Sequence, residues 1–310
     1  MDRPLISIII PTYNRALLIG ETLDSILNQS FTSWECILVD DCSSDNTKSI
    51  IEKYIDLDNR FQYYERPKER IKGPNSCRNF GFKKSKGKFI NWFDSDDLLF
   101  EYSLELWIKN FNSGIDAVIG KCEVFDSFNG TKLSENRILS FGNLIKDYFL
   151  GNITYYVSGP LWRRTFLEAQ EELFDEEIRY LDDWDFNLRM IYQKPNLKFL
   201  DIPIFRYRSH PYSLSKEIEY SNFEEFKSEC IARNKHLKLL PKKDSQNKQI
   251  INFILKRHEV FLNEAIQKKD RSSKFFFLKL LSVQFRFKKI IGIFKTIFLF
   301  SFKLKNTRIE

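Results

Sequence analysis

The amino-acid sequence predicts an α/β fold, in which a mostly parallel sheet is flanked by helices and followed by a helical C-terminal extension. Three observations predict it. Short apolar runs rich in β-branched residues alternate with segments of helical periodicity over the first hundred residues. Acidic residues follow two of these runs, at the positions where strands would end. Beyond residue 220 the sequence has helical periodicity alone and a different charge.

The first half of the chain repeats a strand followed by a helix. Leu5 to Ile10 forms the first apolar run and stops at Pro11, after which apolar residues recur at helical spacing. The second run ends in Asp40 and Asp41, and the serines and aspartate that follow are suited to cap a helix. The predicted strands are 5–10, 34–39, 61–64 and 89–93, and a helix is predicted over 75–86.

After Asp97 the alternation becomes less regular. The predicted helices are 101–111, 183–192, 224–240 and 247–268, and the predicted strands are 117–125, 153–158 and 202–207. Pro241 separates the last two helices because proline cannot continue a helix. We therefore predict two domains, an α/β domain over residues 1–220 and a helical, basic and aromatic region over residues 221–310.

Charge is distributed unevenly along the chain. Residues 231–310 contain 20 Lys and Arg against 5 Asp and Glu, a net charge of +15, whereas residues 1–230 have a net charge of −8. The five cysteines form no CxxC pair, which argues against a zinc module or a disulfide framework and favours a reducing cytosol. The N-terminal apolar run is too short for a signal peptide or a bilayer span.

The C-terminal segment from residue 274 to residue 305 combines phenylalanines with regularly placed lysines. Lysines interrupt every apolar stretch, so none approaches the roughly 20 apolar residues that a spanning helix needs. On a continuous helix Lys288, Lys295 and Lys303 would share one face. This pattern favours a helix that lies on a membrane surface. An interface of a homo-oligomer and an intramolecular helical cap are the alternatives, and the apolar content argues against nucleic acid.

Two acidic clusters are the most informative features for chemistry. Asp94 and Asp96 are two residues apart directly after the fourth strand, so their side chains project together from its C-terminal tip. Ligands bind at this edge of open α/β sheets. Asp182 and Asp183 precede a helix. Carboxylates placed in this way commonly bind a divalent cation such as Mg²⁺ or Mn²⁺ or transfer a proton.

Several segments together resemble family 2 glycosyltransferases of the GT-A fold, over about residues 5–215. The similar motifs, in chain order, are Ser7-Ile8-Ile9-Ile10-Pro11-Thr12-Tyr13-Asn14, Val39-Asp40-Asp41-Cys42-Ser43-Ser44-Asp45, Arg78-Asn79-Phe80-Gly81, Asp94-Ser95-Asp96-Asp97, Phe174-Asp175-Glu176 with Asp182-Asp183, and Tyr207-Arg208-Ser209-His210. Two positions depart from the family pattern: Asp182 stands where glutamate is usual, and Cys42 where glycine or asparagine is common.

The resemblance implies an inverting transferase that moves a hexosyl or N-acetylhexosaminyl group from a nucleotide sugar, most simply a UDP-sugar. Asp183 would be the general base, and Asp96 would bind Mn²⁺ or Mg²⁺ with His210 as a second candidate ligand. Asp41 would accept the N3–H of uracil. The remaining nucleotide-sugar-binding candidates are Pro11, Thr12, Tyr13, Asn14, Arg78, Asp94 and Ser95.

The acceptor implied by the resemblance is a glycan or a lipid-linked sugar in surface polysaccharide or glycolipid synthesis. The protein would then be cytoplasmic and peripheral on the inner face of the cell membrane.

Each candidate also has a purely structural explanation. The cluster at Asp94 could cap the helix that begins near Glu101, and Asp40 and Asp41 could stabilise a loop. Asp182 and Asp183 could favour a helix N-terminus, where negative charge is stabilising. A Rossmann dehydrogenase is disfavoured because no glycine lies between Pro11 and Arg15. A receiver domain would not explain the later clusters, and a catalytically silent nucleotide-sugar-binding or lipid-binding module of this fold is the alternative function.

Overall fold

A computed structural model describes residues 4–140, 142–209, 222–240 and 247–306, with the side chains of residue 247 and of residues 302–306 left out. The chain divides into two compact units, Met1–Pro211 and Tyr212–Glu310. The first unit is mixed α/β and the second is helical. This arrangement confirms the predicted fold class.

The first unit contains one twisted sheet whose elements alternate with helices in its N-terminal half. Its strands are β1 (Ile6–Thr12), β2 (Trp34–Asp40), β3 (Phe61–Glu65), β4 (Phe89–Trp92), β5 (Leu98–Leu99), β6 (Ala117–Asp126), β7 (Lys132–Glu135), β8 (Pro160–Arg163) and β9 (Leu197–Ser209). Its helices are α1 (Ile19–Leu27), α2 (Thr47–Leu57), α3 (Pro74–Lys84), α4 (Ser103–Lys109), α5 (Leu144–Leu150), α6 (Arg164–Glu168) and α7 (Asp182–Tyr192).

The strand order is β3-β2-β1-β4-β8-β6-β9-β5, and β7 pairs with β6. The pairs among β1, β2, β3 and β4 are parallel, as predicted. The second half of the sheet is mixed, because β8 runs antiparallel to both β4 and β6. The carboxyl ends of β1, β2 and β4 therefore meet at one edge, the edge that the acidic clusters indicated.

Both faces of the central strands are covered, which explains why their sequences are continuously apolar. Along β1, Ile8 and Ile10 pack in one buried cluster, while Ile9 between them packs in the cluster on the opposite face. Trp92 at the end of β4 belongs to that second cluster, where its ring centroid lies 4.9 Å from that of Phe174 and 5.1 Å from that of Phe186. These aromatic contacts bind α7 to the sheet beside the end of β4.

One predicted strand is wrong. Residues 153–158 form no strand, although Ile153, Tyr155 and Val157 are buried in the alternating manner that suggested one. Thr154 N donates to Arg137 O at 2.7 Å, so its backbone pairs with a loop, and the strand of this region begins later, at Pro160. The side chains of residues 153–158 are therefore alternately buried although their backbone pairs with no neighbouring strand. The short elements β5, β7, α5 and α6 had no distinct pattern in the sequence.

The second unit contains α8 (Phe223–Leu239), α9 (Asn247–Gln267), α10 (Ser273–Arg286) and α11 (Ile290–Asn306). Its core is formed by apolar residues that include Phe226, Phe261 and Phe276. Buried Glu229 is neutralised by Arg233 and Arg257, each with a nitrogen at 2.7 Å. None of the described helices combines the length and the apolar composition that crossing a bilayer would require.

The predicted shared face of Lys288, Lys295 and Lys303 is corrected by the helix boundaries. Lys288 lies between α10 and α11 with a φ of 53°, so no continuous helix connects it to Lys295. The side chain of Lys303 lies outside the described part of the structure.

Gly81 allows α3 to lie directly on the sheet, and this close approach is testable. A Cβ at Gly81 would overlap the side chain of Ile9 and lie 3.3 Å from Val39. We expect Gly81→Ala to lower the free energy of unfolding by about 1–3 kcal/mol, because overpacking outweighs the gain of up to about 1 kcal/mol in helix propensity. Gly20→Ala is the control, since its Cβ would lie 3.6 Å from Tyr54 Oη. Urea unfolding that found equal stability changes in the two variants would contradict this packing.

Candidate active site

The candidate site begins where β1, β2 and β3 end together. Asp41 N donates to Thr12 O at 2.8 Å, and Arg66 N donates to Asp40 O at 2.8 Å, so the parallel pairing continues to the last residue of each strand. The segments that resemble nucleotide-binding motifs, Pro11 to Asn14 and Val39 to Asp45, are thereby brought side by side.

Side chains then lock the two loops to each other. Asn14 has a φ of 50°, a conformation that asparagine tolerates better than most residues, and its backbone N–H donates to Ser43 Oγ at 2.9 Å. Its side-chain oxygen accepts the N–H of Ser44 at 2.8 Å. Asp40 accepts the N–H of Ser43 at 2.7 Å. The two loops, residues 11–14 and 39–45, therefore form one preorganised surface, which we call the wall. Asp40 and Asn14 have structural roles in it.

Asp41 forms a buried ion pair with Arg66, which the sequence analysis did not single out. Arg66 also donates to Pro67 O at 2.9 Å, so the loop after β3 is tied to the same wall. The sequence signal for Arg66 was its position two residues after the predicted strand 61–64. The predicted contact of Asp41 with a base stays a prediction, and Arg66 would orient that carboxylate.

Groups that a planar ligand could contact lie beside this pair. The hydroxyl of Thr12 is buried and has no hydrogen-bond partner among the described residues. Tyr13 is 41% exposed, and Lys72 Nζ lies 4.0 Å from its ring centroid. Buried polar atoms are ordinarily hydrogen-bonded, so an unsatisfied hydroxyl next to an exposed aromatic ring is a place for a ligand.

The acidic segment after β4 lies at the same edge of the sheet. Phe93 N donates to Ile9 O at 2.9 Å, and Asp94 N donates to Ser158 Oγ at 3.2 Å. Ser95 is buried, and its carbonyl accepts the hydroxyl of Thr22 at 3.1 Å. The backbone of this segment is thus fixed from both sides, and the segment does not cap the helix α4, which begins at Ser103.

Asp96 and Asp97 have different surroundings. Asp97 is buried and accepts the N–H of Arg208 at 3.1 Å, and burial together with the charge of Asp96 raises the pKa of Asp97 well above its usual range. Asp96 is only half-buried, and its carboxylate lies 3.4 Å from Arg15 Nε. Asp97 therefore anchors the segment to β9, a role that sequence analysis missed, and Asp96 is presented at the surface of the site.

Arg78 joins the two acidic clusters. This arginine is 5% exposed, and its guanidinium donates to Asp94 Oδ1 at 3.0 Å and to Asp182 Oδ2 at 2.5 Å. A third bond, at 3.0 Å, goes to Asn75 Oδ1. Arg78 is one of the predicted nucleotide-sugar-binding residues. In this structure it links the segment after β4 to the start of α7, residues separated by almost ninety positions.

Asp183 lies next to this bridge, at the first turn of α7. Leu181 has a φ of 61°, a left-handed conformation that turns the chain sharply into the helix. Burial, reinforced by the neighbouring charge of Asp182, raises the pKa of Asp183 to about 7, although Arg78 opposes the shift. A carboxylate whose pKa is near neutrality is suited to accept a proton.

Asp96 and His210 are the two predicted metal ligands. His210 lies outside the described residues. Within the described ranges, no group of three or more His, Cys, Asp and Glu side chains is arranged to hold a metal ion. Burial and the charge of Asp96 raise the pKa of Asp94, which shows that negative charge is concentrated there.

Similarity to known proteins agrees with this geometry. The sequence model of Glycosyl transferase family 2 matches residues 7–168, just over half of the chain. The chain belongs to glycosyl transferase family 2. This family 2 chain is similar to the glycosyltransferase EpsJ of Bacillus subtilis, with 31% identity over 226 aligned residues. The alignment covers 70% of this chain and 64% of EpsJ.

A second relative is a GalNAc(5)-diNAcBac-PP-undecaprenol beta-1,3-glucosyltransferase of Campylobacter jejuni, 32% identical with 56% of each chain covered. The family 2 chain therefore spans less than two thirds of the length of either relative.

Solved structures share the fold of this family 2 chain. Residues 1–349 of TarS from S. aureus superpose with a TM-score of 0.64 at 22% identity, covering 90% of this chain and 79% of that one. The mannosyltransferase PcManGT from Pyrobaculum calidifontis superposes with a TM-score of 0.60 at 17% identity, covering 99% and 88%. At these identities the likeness establishes the GT-A fold and nothing more specific.

The raised pKa of Asp183 predicts that this carboxylate destabilises the fold. The pKa of an aspartate in an unfolded chain is about 3.9. Between pH 4 and pH 7 the folded protein therefore binds more protons, and stability falls as pH rises through that window. We expect Asp183→Asn to raise the melting temperature at pH 8 by about 2–4 °C, which corresponds to about 1 kcal/mol, and to have no such effect below pH 4.

Asp58→Asn is the matched control for this measurement. A hydrogen bond from Arg60 lowers the pKa of Asp58, so removing that charge should lower the melting temperature at pH 8. A melting temperature of Asp183→Asn below that of the wild type at pH 8 would contradict the assignment.

The Arg78 bridge predicts a large loss of stability when its charge is removed. Arg78→Gln leaves Asp94 and Asp182 without their buried counter-charge, so we expect a loss of about 3–5 kcal/mol in urea unfolding at pH 7.5. Adding Asp94→Asn to Arg78→Gln should recover part of this loss. Lys48→Gln, which removes the exposed pair with Glu65, should cost much less, because exposed ion pairs contribute little to stability. Similar losses in the two single variants would argue against the bridge.

Proposed function

We propose that the protein is an inverting glycosyltransferase that uses a nucleotide sugar, most simply a UDP-sugar. The observation that carries this proposal is the meeting of three groups at one edge of the sheet. The wall formed by Pro11–Asn14 and Asp41 and the acidic segment after β4 follow neighbouring strands at this edge. Arg78 joins that acidic segment to the first turn of α7, which carries Asp183 with its pKa of about 7. The donor, the departing diphosphate and the acceptor proton would each have a binding partner there.

Asp183 is the proposed general base. As the acceptor hydroxyl oxygen bonds to the anomeric carbon, the bond from that carbon to the diphosphate breaks, and its electron pair leaves with the diphosphate. The proton of the hydroxyl passes to the carboxylate of Asp183. Because the attack comes from the face opposite the leaving group, the anomeric configuration inverts. A positioned base contributes about 10² to 10⁴ in rate.

The nucleotide would bind against the wall at the ends of β1 and β2. Tyr13 offers an exposed ring to the base, the Thr12 hydroxyl lacks a protein partner, and the carboxylate of Asp41 is oriented by Arg66. Arg78 would act by holding Asp94 beside the sugar or ribose. TarS has crystal structures with UDP and with UDP-GlcNAc, whereas PcManGT has a structure in complex with GDP-Man and Mn²⁺, so the donor panel below tests the identity of the nucleobase.

Mn²⁺ or Mg²⁺ would bind at Asp96. A hard cation is commonly held by one or two carboxylates together with substrate phosphates, which suits a site without a closed set of protein ligands. When bound, such a cation neutralises charge that develops on the departing diphosphate. Asp96 is half-buried, so its carboxylate oxygens could reach such a cation, and Asp94 lies two residues away at the same strand end. His210 remains a candidate ligand.

The acceptor is proposed to be a glycan or a lipid-linked sugar in surface polysaccharide or glycolipid synthesis. The Campylobacter jejuni relative, whose name includes undecaprenol, supports a lipid-linked acceptor. The protein would then act in the cytoplasm, attached peripherally to the inner face of the cell membrane, with residues 221–310 as its attachment region.

Nucleotide release tests this proposal. Purified protein with Mn²⁺ is incubated with a panel of UDP-, GDP- and dTDP-sugars, and we expect metal-dependent release of UDP from one donor. Asp183→Asn should lower the rate by about 10² to 10⁴, because it removes the base. Asp96→Ala should lower it by weakening the metal site, and Asp58→Asn, remote from the site edge, should leave it unchanged.

Two results would count against the proposal. Tight binding of UDP and Mn²⁺ in calorimetry, with no turnover of any donor in the presence of lipid-linked and glycan acceptors, would identify a silent binding module. Absence of nucleotide binding altogether would exclude a glycosyltransferase.

A further inference from the structure

Helix α11 carries an apolar face that is open to solvent. We define the α11 apolar face as Ile290, Ile291, Phe294 and Ile297, which are between 42% and 86% exposed. These residues follow one another at intervals of one, three and three positions, so they occupy one side of the helix. Single exposed apolar residues are ordinary, but four large ones on one helix side mark an interaction surface.

The opposite side of α11 is packed within the second unit. Thr296 is buried and accepts a hydrogen bond from Gln284 Nε2 at 3.0 Å. The ring of Phe300 stacks on that of Phe277, with a centroid distance of 4.0 Å. The helix is therefore held on α10 by one side, and the orientation of its apolar face is set by these contacts.

The charge along this segment of the chain has a single sign. Residues 271–306 contain nine Lys and Arg and no Asp or Glu. Lys288, in the turn before α11, and Lys295, within it, are both exposed. An apolar helix face bordered by lysines is typical of a helix that lies in the interface of a membrane, with its apolar side chains among the acyl chains and its lysines near anionic headgroups.

The positive charge of this segment argues against two other partners for the face, a second copy of this chain and a nucleic acid. Two copies of this chain associating through α11 would bring two uncompensated basic segments together, which is electrostatically unfavourable. A nucleic acid would match the charge but would leave four large apolar side chains against phosphates and sugars.

We infer that the α11 apolar face, with Lys288 and Lys295, binds the surface of a bilayer that contains anionic lipid. This inference rests on the peripheral attachment included in the proposed function and names the surface responsible for it. Lipid binding is measured without donor or acceptor, so its failure is distinguishable from a failure of the proposed glycosyl transfer.

The test is flotation of the full chain with vesicles of phosphatidylcholine, with and without phosphatidylglycerol. We expect the wild type to float with the anionic vesicles and to be released by high salt, which screens the lysines. Ile291→Glu combined with Phe294→Glu should lower the partition coefficient at least tenfold. Lys288→Gln and Lys295→Gln should each lower it about fivefold, because a lysine near an anionic surface contributes about 1 kcal/mol.

Leu57→Glu is the matched control, since Leu57 lies in α2 of the first unit and is 68% exposed. It should leave flotation unchanged, and light scattering should find the same oligomeric state in all variants. Equal flotation of the wild type and of the Ile291→Glu, Phe294→Glu variant would overturn the inference, as would no flotation at all. A wild-type dimer that the same double variant dissociates would assign the face to self-association.

Discussion

The buried guanidinium of Arg78 is the interaction on which the candidate site depends. It sits on the ring of Phe174, with Cζ 5.2 Å from the ring centroid, and reaches Asp94 on one side and Asp182 on the other. Two carboxylates at these positions would repel each other in a buried setting without a cation between them. Arginine suits the role because its planar fork presents several donors and retains its charge when buried.

The sheet and its aromatic cluster make this bridge geometrically feasible. Trp92 ends β4 two residues before Asp94, and Phe186 lies on α7 one turn after Asp182. Their rings are in contact, so the two acidic segments are held near each other before any charge is considered. Packing thus sets the distance between the two acidic segments, and Arg78 offsets the repulsion between their carboxylates. Asp183 is not directly bonded to Arg78, which lets its pKa rise to about 7.

The two units of the chain use their polar residues in different ways. In the first, ionisable groups gather at one sheet edge, where the proposed ligand binding and proton transfer would use their charge. In the second, the buried ions serve packing: Glu229 is neutralised by two arginines, and burial lowers the pKa of His258 to about 4, so that imidazole is neutral beside Cys230. The excess of Lys and Arg over Asp and Glu in that unit is concentrated toward the C-terminal helices, as the uneven distribution of charge in the sequence indicated.

The fold class and the succession of the first four strands and their helices along the chain follow from the sequence, because they depend on periodicity. The two acidic clusters are also visible there, one directly after a strand and the other at the start of a helix. The sequence did not determine residues 153–158, whose alternating burial arises from loop contacts, nor the mixed second half of the sheet. The folded structure was needed to find that Arg66 pairs with Asp41, that Arg78 joins Asp94 to Asp182, and that the pKa of Asp183 is raised. Each of these depends on burial and on contacts between residues far apart in the chain, which no local pattern records.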